Sequence, residues 1–213
     1  MLLHRIQLNL RCKEARRDIS DPYEMHSTLC RAFSKQDQKC SPAIFLWRLE
    51  PEMNAGGTPK ALIQSQEMPE WSRIGINDWF ADEPSGPIDI KQKLKLDAAA
   101  LSNKMRFRYR LRANPSVRRN GKRIGLYKPE EQDAWLVRQG GLKGFSPETI
   151  YRSQERMLTG KRRSGEPIRI FSVLYDGILK VEDSLLFIET VKNGIGHGKA
   201  MGLGLFSIFP MAV

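Results

Sequence analysis

Residues 104 to 112 read Lys-Met-Arg-Phe-Arg-Tyr-Arg-Leu-Arg. That period of two makes the segment a β-strand with one apolar and one cationic face. Guanidiniums about 7 Å apart along such a face repel one another, and an extended polyanion lying against them relieves the repulsion. Acidic neighbours in sequence are not at hand, because Lys104 through Arg123 holds nine Lys or Arg residues and no Asp or Glu. Arg108, Arg110 and Arg112 are therefore expected to contact RNA or DNA.

Charge is polarised along the whole chain. The formal net charge is +11, yet residues 1 to 90 carry 11 basic and 13 acidic side chains, and residues 91 to 213 carry 24 and 11. One half is expected to grip a polyanion while the other supplies scaffold or chemistry. A length of 213 residues allows one large domain or two small ones. No apolar run approaches the roughly 20 residues that span a bilayer, and the N-terminus lacks a signal-peptide core. The expectation is a soluble, cytoplasmic protein with no membrane partner. Cys12, Cys30 and Cys40 are odd in number and form no CxxC pair, which reads as plain thiols rather than a disulfide or zinc framework.

Along the chain, Leu2 to Leu10 alternates like a strand with Ile6 and Leu8 inward. Asp21-Pro22 opens a helix that runs to Phe33, Asp as N-cap and Pro in the first turn. Ala43 to Leu49 and Lys60 to Gln66 read as strands, the opening of a split βαβ unit, and Ile88 to Leu96 as a strand that closes the sheet. The division expected is residues 1–98 and 99–213. In the second part, the Arg strand leads to a loop, Asn114 to Lys128, carrying Arg118, Arg119, Lys122 and Arg123. Pro129 to Gln139 reads as a helix with acids in its first turn. Thr149 to Leu158 and Pro167 to Val181 read as strands around a Gly-bounded basic tip with Lys161, Arg162 and Arg163, Arg156 standing on the approach. Glu182 to Lys192 is an amphipathic helix ended by Asn193-Gly194, and Leu203 to Phe209 is a last strand.

The loop Gly194-Ile195-Gly196-His197-Gly198-Lys199-Ala200-Met201-Gly202-Leu203-Gly204 is too long for a Walker A motif or a dinucleotide fingerprint, and it follows a helix rather than a strand. Two readings stay open. Its backbone N–H groups cradle an anion, with Lys199 as a point charge and Gly196, His197 and Gly198 nearby, or it is a tight connection that needs positive φ values.

Residues 194 to 207, Gly-Ile-Gly-His-Gly-Lys-Ala-Met-Gly-Leu-Gly-Leu-Phe-Ser, resemble the C-terminal signature of the RAMP superfamily of RNA-binding CRISPR proteins. Tyr23-Glu24-Met25-His26 and Phe107-Arg108-Tyr109-Arg110-Leu111-Arg112-Ala113-Asn114-Pro115 resemble its CasE branch, the repeat-RNA endoribonuclease of the type I-E Cascade complex. The resemblance spans the chain. It implies an α+β fold of tandem ferredoxin-like (RRM-like, βαββαβ) domains with antiparallel sheets, and metal-independent cleavage of CRISPR precursor RNA at the base of the repeat hairpin. It further implies retention of the mature crRNA hairpin within Cascade, and a monomer when isolated. Its catalytic Tyr and His fall on Tyr23 and His26.

The residues suit that chemistry. Tyr23 and His26 stand three apart on one helix and share a face. RNA brings its own nucleophile, the 2′-OH, so the protein needs to orient it and move protons. Histidine titrates near neutrality and can do so in either direction; tyrosine, with an ordinary pKa near 10, suits orientation or proton donation. Without the resemblance, a Tyr and a His at this spacing are more often a packed aromatic and a satisfied polar residue. Of the other histidines, His4 reads as structural and His197 as close to RNA. No HExxH or DxD spacing occurs, so no metal or other cofactor is expected. The alternative function is a non-catalytic RAMP-type crRNA-binding subunit; a DNA-binding repressor lacks a basic recognition helix.

Overall fold

The alternation at the N-terminus does what a period of two predicts: Ile6 and Leu8 are fully buried and His4 points the same way. The computed structural model describes residues 1–34, 44–50, 56–98, 101, 105–161 and 164–211; Cys40, Lys104, Arg162 and Arg163 lie outside them. Contacts divide the chain into two units, the first comprising Met1–Asp89, Leu158–Arg169 and Lys199–Gly202, the second Ile90–Met157, Ile170–Gly198 and Leu203–Val213.

The first unit runs β1 (Leu2–Gln7), α1 (Lys13–Ser20), α2 (Pro22–Phe33), β2 (Phe45–Leu49), β3 (Lys60–Ser65), a 3-10 turn at Trp71–Ile74 and β4 (Ser85–Asp89). The strands form an antiparallel sheet in the order β2-β3-β1-β4. That is the ferredoxin-like order, with the second crossover helix reduced to the 3-10 turn. Met25, Leu29 and Phe33 of α2 pack on Ile6, Phe45, Trp47 and Ile63 of the sheet. In α1, which apolar periodicity does not reveal, the buried Asp18 carboxylate accepts the Trp79 indole N–H at 2.9 Å and is paired with Arg17 at 2.7 Å. The closing strand is Ser85–Asp89 rather than 88–96, and Ile90–Lys93 turns into the short α3. Every residue of β4 is exposed: it is a polar edge strand, where Pro87 removes no ladder hydrogen bond, and an apolar pattern cannot mark it.

The second unit continues with β5 (Arg106–Ala113), β6 (Ser116–Arg119), β7 (Lys122–Gly125), α4 (Pro129–Leu142), β8 (Phe145–Pro147), β9 (Tyr151–Lys161), β10 (Pro167–Val181), α5 (Ser184–Asn193) and β11 (Phe206–Pro210), the outer ends of β9 and β10 belonging to the first unit. The sheet order is β11-β5-β10-β8, with β9 also on β10, so the Arg strand is central and the ferredoxin-like order recurs. Phe107, Tyr109 and Leu111 turn inward with Phe145, Phe187 and Phe206. Among the described residues, no helix is long and apolar enough to cross a membrane.

Two expectations change here. The 114–128 loop is in fact a two-residue hairpin: Asn120 and Gly121 both take left-handed backbone, φ 49° and 74°, the type I′ pattern of an Asn-Gly turn. The last strand begins at Phe206, because Gly204 at φ 91° bends the chain and donates its N–H to the Arg112 carbonyl at 2.8 Å.

Candidate active site and nucleic-acid interface

Helix α2 starts where Asp21 and Pro22 place it. The Asp21 carboxylate accepts the Tyr23 N–H at 2.9 Å and the Glu24 N–H at 3.4 Å, and Pro22 occupies the first turn. Tyr23 and His26 therefore sit together one turn into the helix, both half-buried. Gly160 of β9 comes down on this start: a Cβ there would stand 2.9 Å from Asp21 Oδ1 and 3.2 Å from Tyr23 Cβ. A 3-10 turn at Lys199–Met201, inside the glycine loop, packs against the same helix. All of these groups belong to the first unit.

The His26 ring lies against Phe45, centroids 5.2 Å apart. Its Nε2 is 3.6 Å from Cys30 Sγ, one turn further along α2, and its Nδ1 is buried without a hydrogen-bond partner among the described residues. Burial lowers the His26 pKa to about 4, so the imidazole is neutral at physiological pH. A neutral ring can accept a proton from a 2′-OH; donating one requires it first to be protonated, which a bound phosphate favours. Glu24 is held by Arg17 at 3.5 Å. Among the described residues, no group of three or more His, Cys, Asp or Glu is arranged to hold a metal ion.

The cationic row on β5 alternates as expected, but acids distant in sequence neutralise much of it. Arg106 Nε pairs with Glu148 at 2.7 Å and Arg110 Nε with Asp176 at 2.8 Å, Asp176 being its registered neighbour on β10. The Arg106 guanidinium holds the Glu148 carboxyl below its ordinary pKa. Arg112 is 2% exposed and donates to Gln154 Oε1 at 2.5 Å. Arg110 and Arg112 thus meet protein partners that counting acids along the segment cannot reveal. Arg108 stays exposed and makes no ion pair among the described residues.

A dense group of unneutralised cations stands on the hairpin β6–β7. Arg118 faces Arg123 and Arg119 faces Lys122 across the register, all exposed. The described contacts of these side chains are Arg118 to the Gly121 carbonyl at 3.4 Å and Arg123 to Ser116 Oγ at 3.2 Å. Like charges directly opposed cost roughly 0.2–1 kcal/mol a pair, a cost that an anion along the hairpin removes. Arg156 and Lys161 on β9 are exposed as well.

Within the glycine loop, close packing accounts for several glycines. Gly202, at φ 73°, lies on the Trp47 ring, and a Cβ at Gly204 would stand 2.9 Å from the Ile195 carbonyl oxygen. A Cβ at Gly198 would meet Leu203 at 2.9 Å and one at Gly196 would meet Trp135 at 3.4 Å. These approaches are the ones a tight connection makes, and an anion held by the loop's backbone N–H groups is compatible with them. His197 is exposed and Lys199 half-buried.

Residues 1–210 match the model of the family described as CRISPR associated protein. The chain is 36% identical to the CRISPR-associated endoribonuclease Cse3 of Thermus thermophilus, over 99% of this chain and all of that one. It is 29% identical to the CRISPR system Cascade subunit CasE of Escherichia coli, over 90% and 93%. Among solved structures, Cse3 bound to a 19-nucleotide RNA superposes with a TM-score of 0.82 at 33% identity, covering 99% of this chain and all of that one. Thermus thermophilus Cse3 bound to an RNA representing a pre-cleavage complex gives 0.80 at 34%, covering 98% of each.

Proposed function

Since the chain belongs to the CRISPR associated protein family, we propose that it is a metal-independent endoribonuclease that cuts CRISPR precursor RNA within the repeats, at the base of the repeat hairpin. It then keeps the mature crRNA hairpin as a subunit of Cascade, in the cytoplasm. The observation that carries this reading is the capped first turn of α2, which sets Tyr23 beside His26. His26 moves the proton and Tyr23 orients the phosphate or donates to it. The 2′-oxygen bonds to phosphorus as its proton leaves, the P–O5′ bond breaks, and O5′ takes up a proton. The products are a 2′,3′-cyclic phosphate, or a 3′-phosphate after its opening, and a 5′-OH. Residues 1–98 carry the chemistry and 99–213 most of the grip. Incubating the purified protein with a repeat oligonucleotide in EDTA should give one cut. Binding without cutting would favour a non-catalytic subunit instead.

The grip falls to the exposed cations. A-form RNA hides its base edges in a deep major groove, so a folded hairpin is held largely through phosphates. Arg118, Arg119, Lys122 and Arg123 hold them on one hairpin, with Arg108 on the sheet and Arg156, Lys161, Arg162 and Arg163 along and beyond β9. Replacing Arg118, Arg119 and Lys122 together with Ala should flatten the dependence of log K on log salt by about two to three units, each phosphate contributing close to one. Cleavage at saturating protein should persist. An unchanged slope in a filter-binding titration would place the phosphates elsewhere.

A further inference from the structure

We propose that Cys30 is a positioning residue that latches the His26 imidazole in a retracted resting setting, which RNA must release before the reaction. This rests on the reading of His26 as the proton-transfer group. Neither ring nitrogen is available to a substrate: Nε2 faces the Cys30 thiol at 3.6 Å, Nδ1 is buried, and Phe45 lies against the ring. The spacing that makes the latch is helical, since residues four apart on α2 stack on one face.

A thiol donates weakly and imidazole nitrogen accepts well, so the S–H to Nε2 hydrogen bond fixes the tautomer with the proton on Nδ1. That leaves the Nδ1–H without an acceptor, a cost that a small stabilising contact at Nε2 has to offset. Protonating the ring in place would add a second donor facing sulfur, so the retracted ring stays neutral. Burial lowers its pKa, and a hydrogen bond to the neutral ring acts in the same direction. On its own helix Tyr23 stands three residues before it and Cys30 four after it, β2 presents the uncharged Phe45, and α2 also packs against the 3-10 turn that begins at Lys199 and the one that holds Arg73, and against α1 with Arg17 and Asp18. Swinging out exchanges sulfur and Phe45 for phosphate, which raises the pKa and frees a nitrogen for the 2′-OH.

The test combines imidazole NMR of the RNA-free protein with single-turnover cleavage, in the wild type, Cys30→Ala and Cys30→Ser. The latch predicts that Cys30→Ala raises the His26 titration midpoint by about one unit and broadens its tautomer signature. It also predicts a cleavage rate faster by up to about fivefold, the equivalent of one ordinary hydrogen bond. Cys30→Ser, which keeps a donor, should restore both. A His26 titration identical in Cys30→Ala and wild type, with the fold intact, overturns the latch. The NMR arm needs no catalysis, so its outcome is separate from that of His26→Ala: normal cleavage by His26→Ala removes the catalytic reading and the latch's role with it.

Discussion

His26→Ala should lower the single-turnover rate on a repeat oligonucleotide by at least about 10²-fold, the range in which a positioned acid or base contributes, while leaving RNA affinity within about twofold. The two effects separate because the imidazole is half-buried against Phe45 and Cys30, whereas the exposed unneutralised cations stand on β5, the β6–β7 hairpin and β9. Tyr23→Phe should cost less, about tenfold, since a ring that only orients through its hydroxyl leaves the proton transfer in place. Both substitutions keep the Asp21 cap and the first turn of α2, so circular dichroism should not change. A His26→Ala protein that cuts at near wild-type rate would falsify the assignment.

What the sequence made legible was whatever depends on near neighbours. The Asp21-Pro22 start, the shared face of Tyr23 and His26 and the alternation of Leu2 to Leu8 are all set by local spacing, and each stands where that spacing puts it. The partners of the Arg row were not legible, because Glu148 and Asp176 reach β5 only through strand pairing and packing. Neither was the retracted state of His26: Phe45 arrives from β2, and an imidazole four residues before a cysteine carries no signal until burial is known. The β6–β7 hairpin did carry one, the Asn120-Gly121 turn, but its flanks are charged rather than alternately apolar, so the segment read as a loop.

The chemistry has a direct test in the substrate. If the 2′-OH is the nucleophile, then removing it from the single nucleotide 5′ to the cut should abolish cleavage, while the protein still binds the modified RNA with unchanged affinity. No side-chain substitution is involved, so folding is not in question, and the all-ribose control in EDTA shows that the preparation is active without a divalent ion. The products of that control should end in a 2′,3′-cyclic phosphate or 3′-phosphate upstream and a 5′-OH downstream. Complete protection by one 2′-deoxy substitution is the predicted result. Cleavage of the 2′-deoxy substrate at the same bond would contradict it, because water or hydroxide must then attack in place of the RNA's own hydroxyl, and a control that cuts only when Mg²⁺ is restored would contradict its independence of a divalent ion.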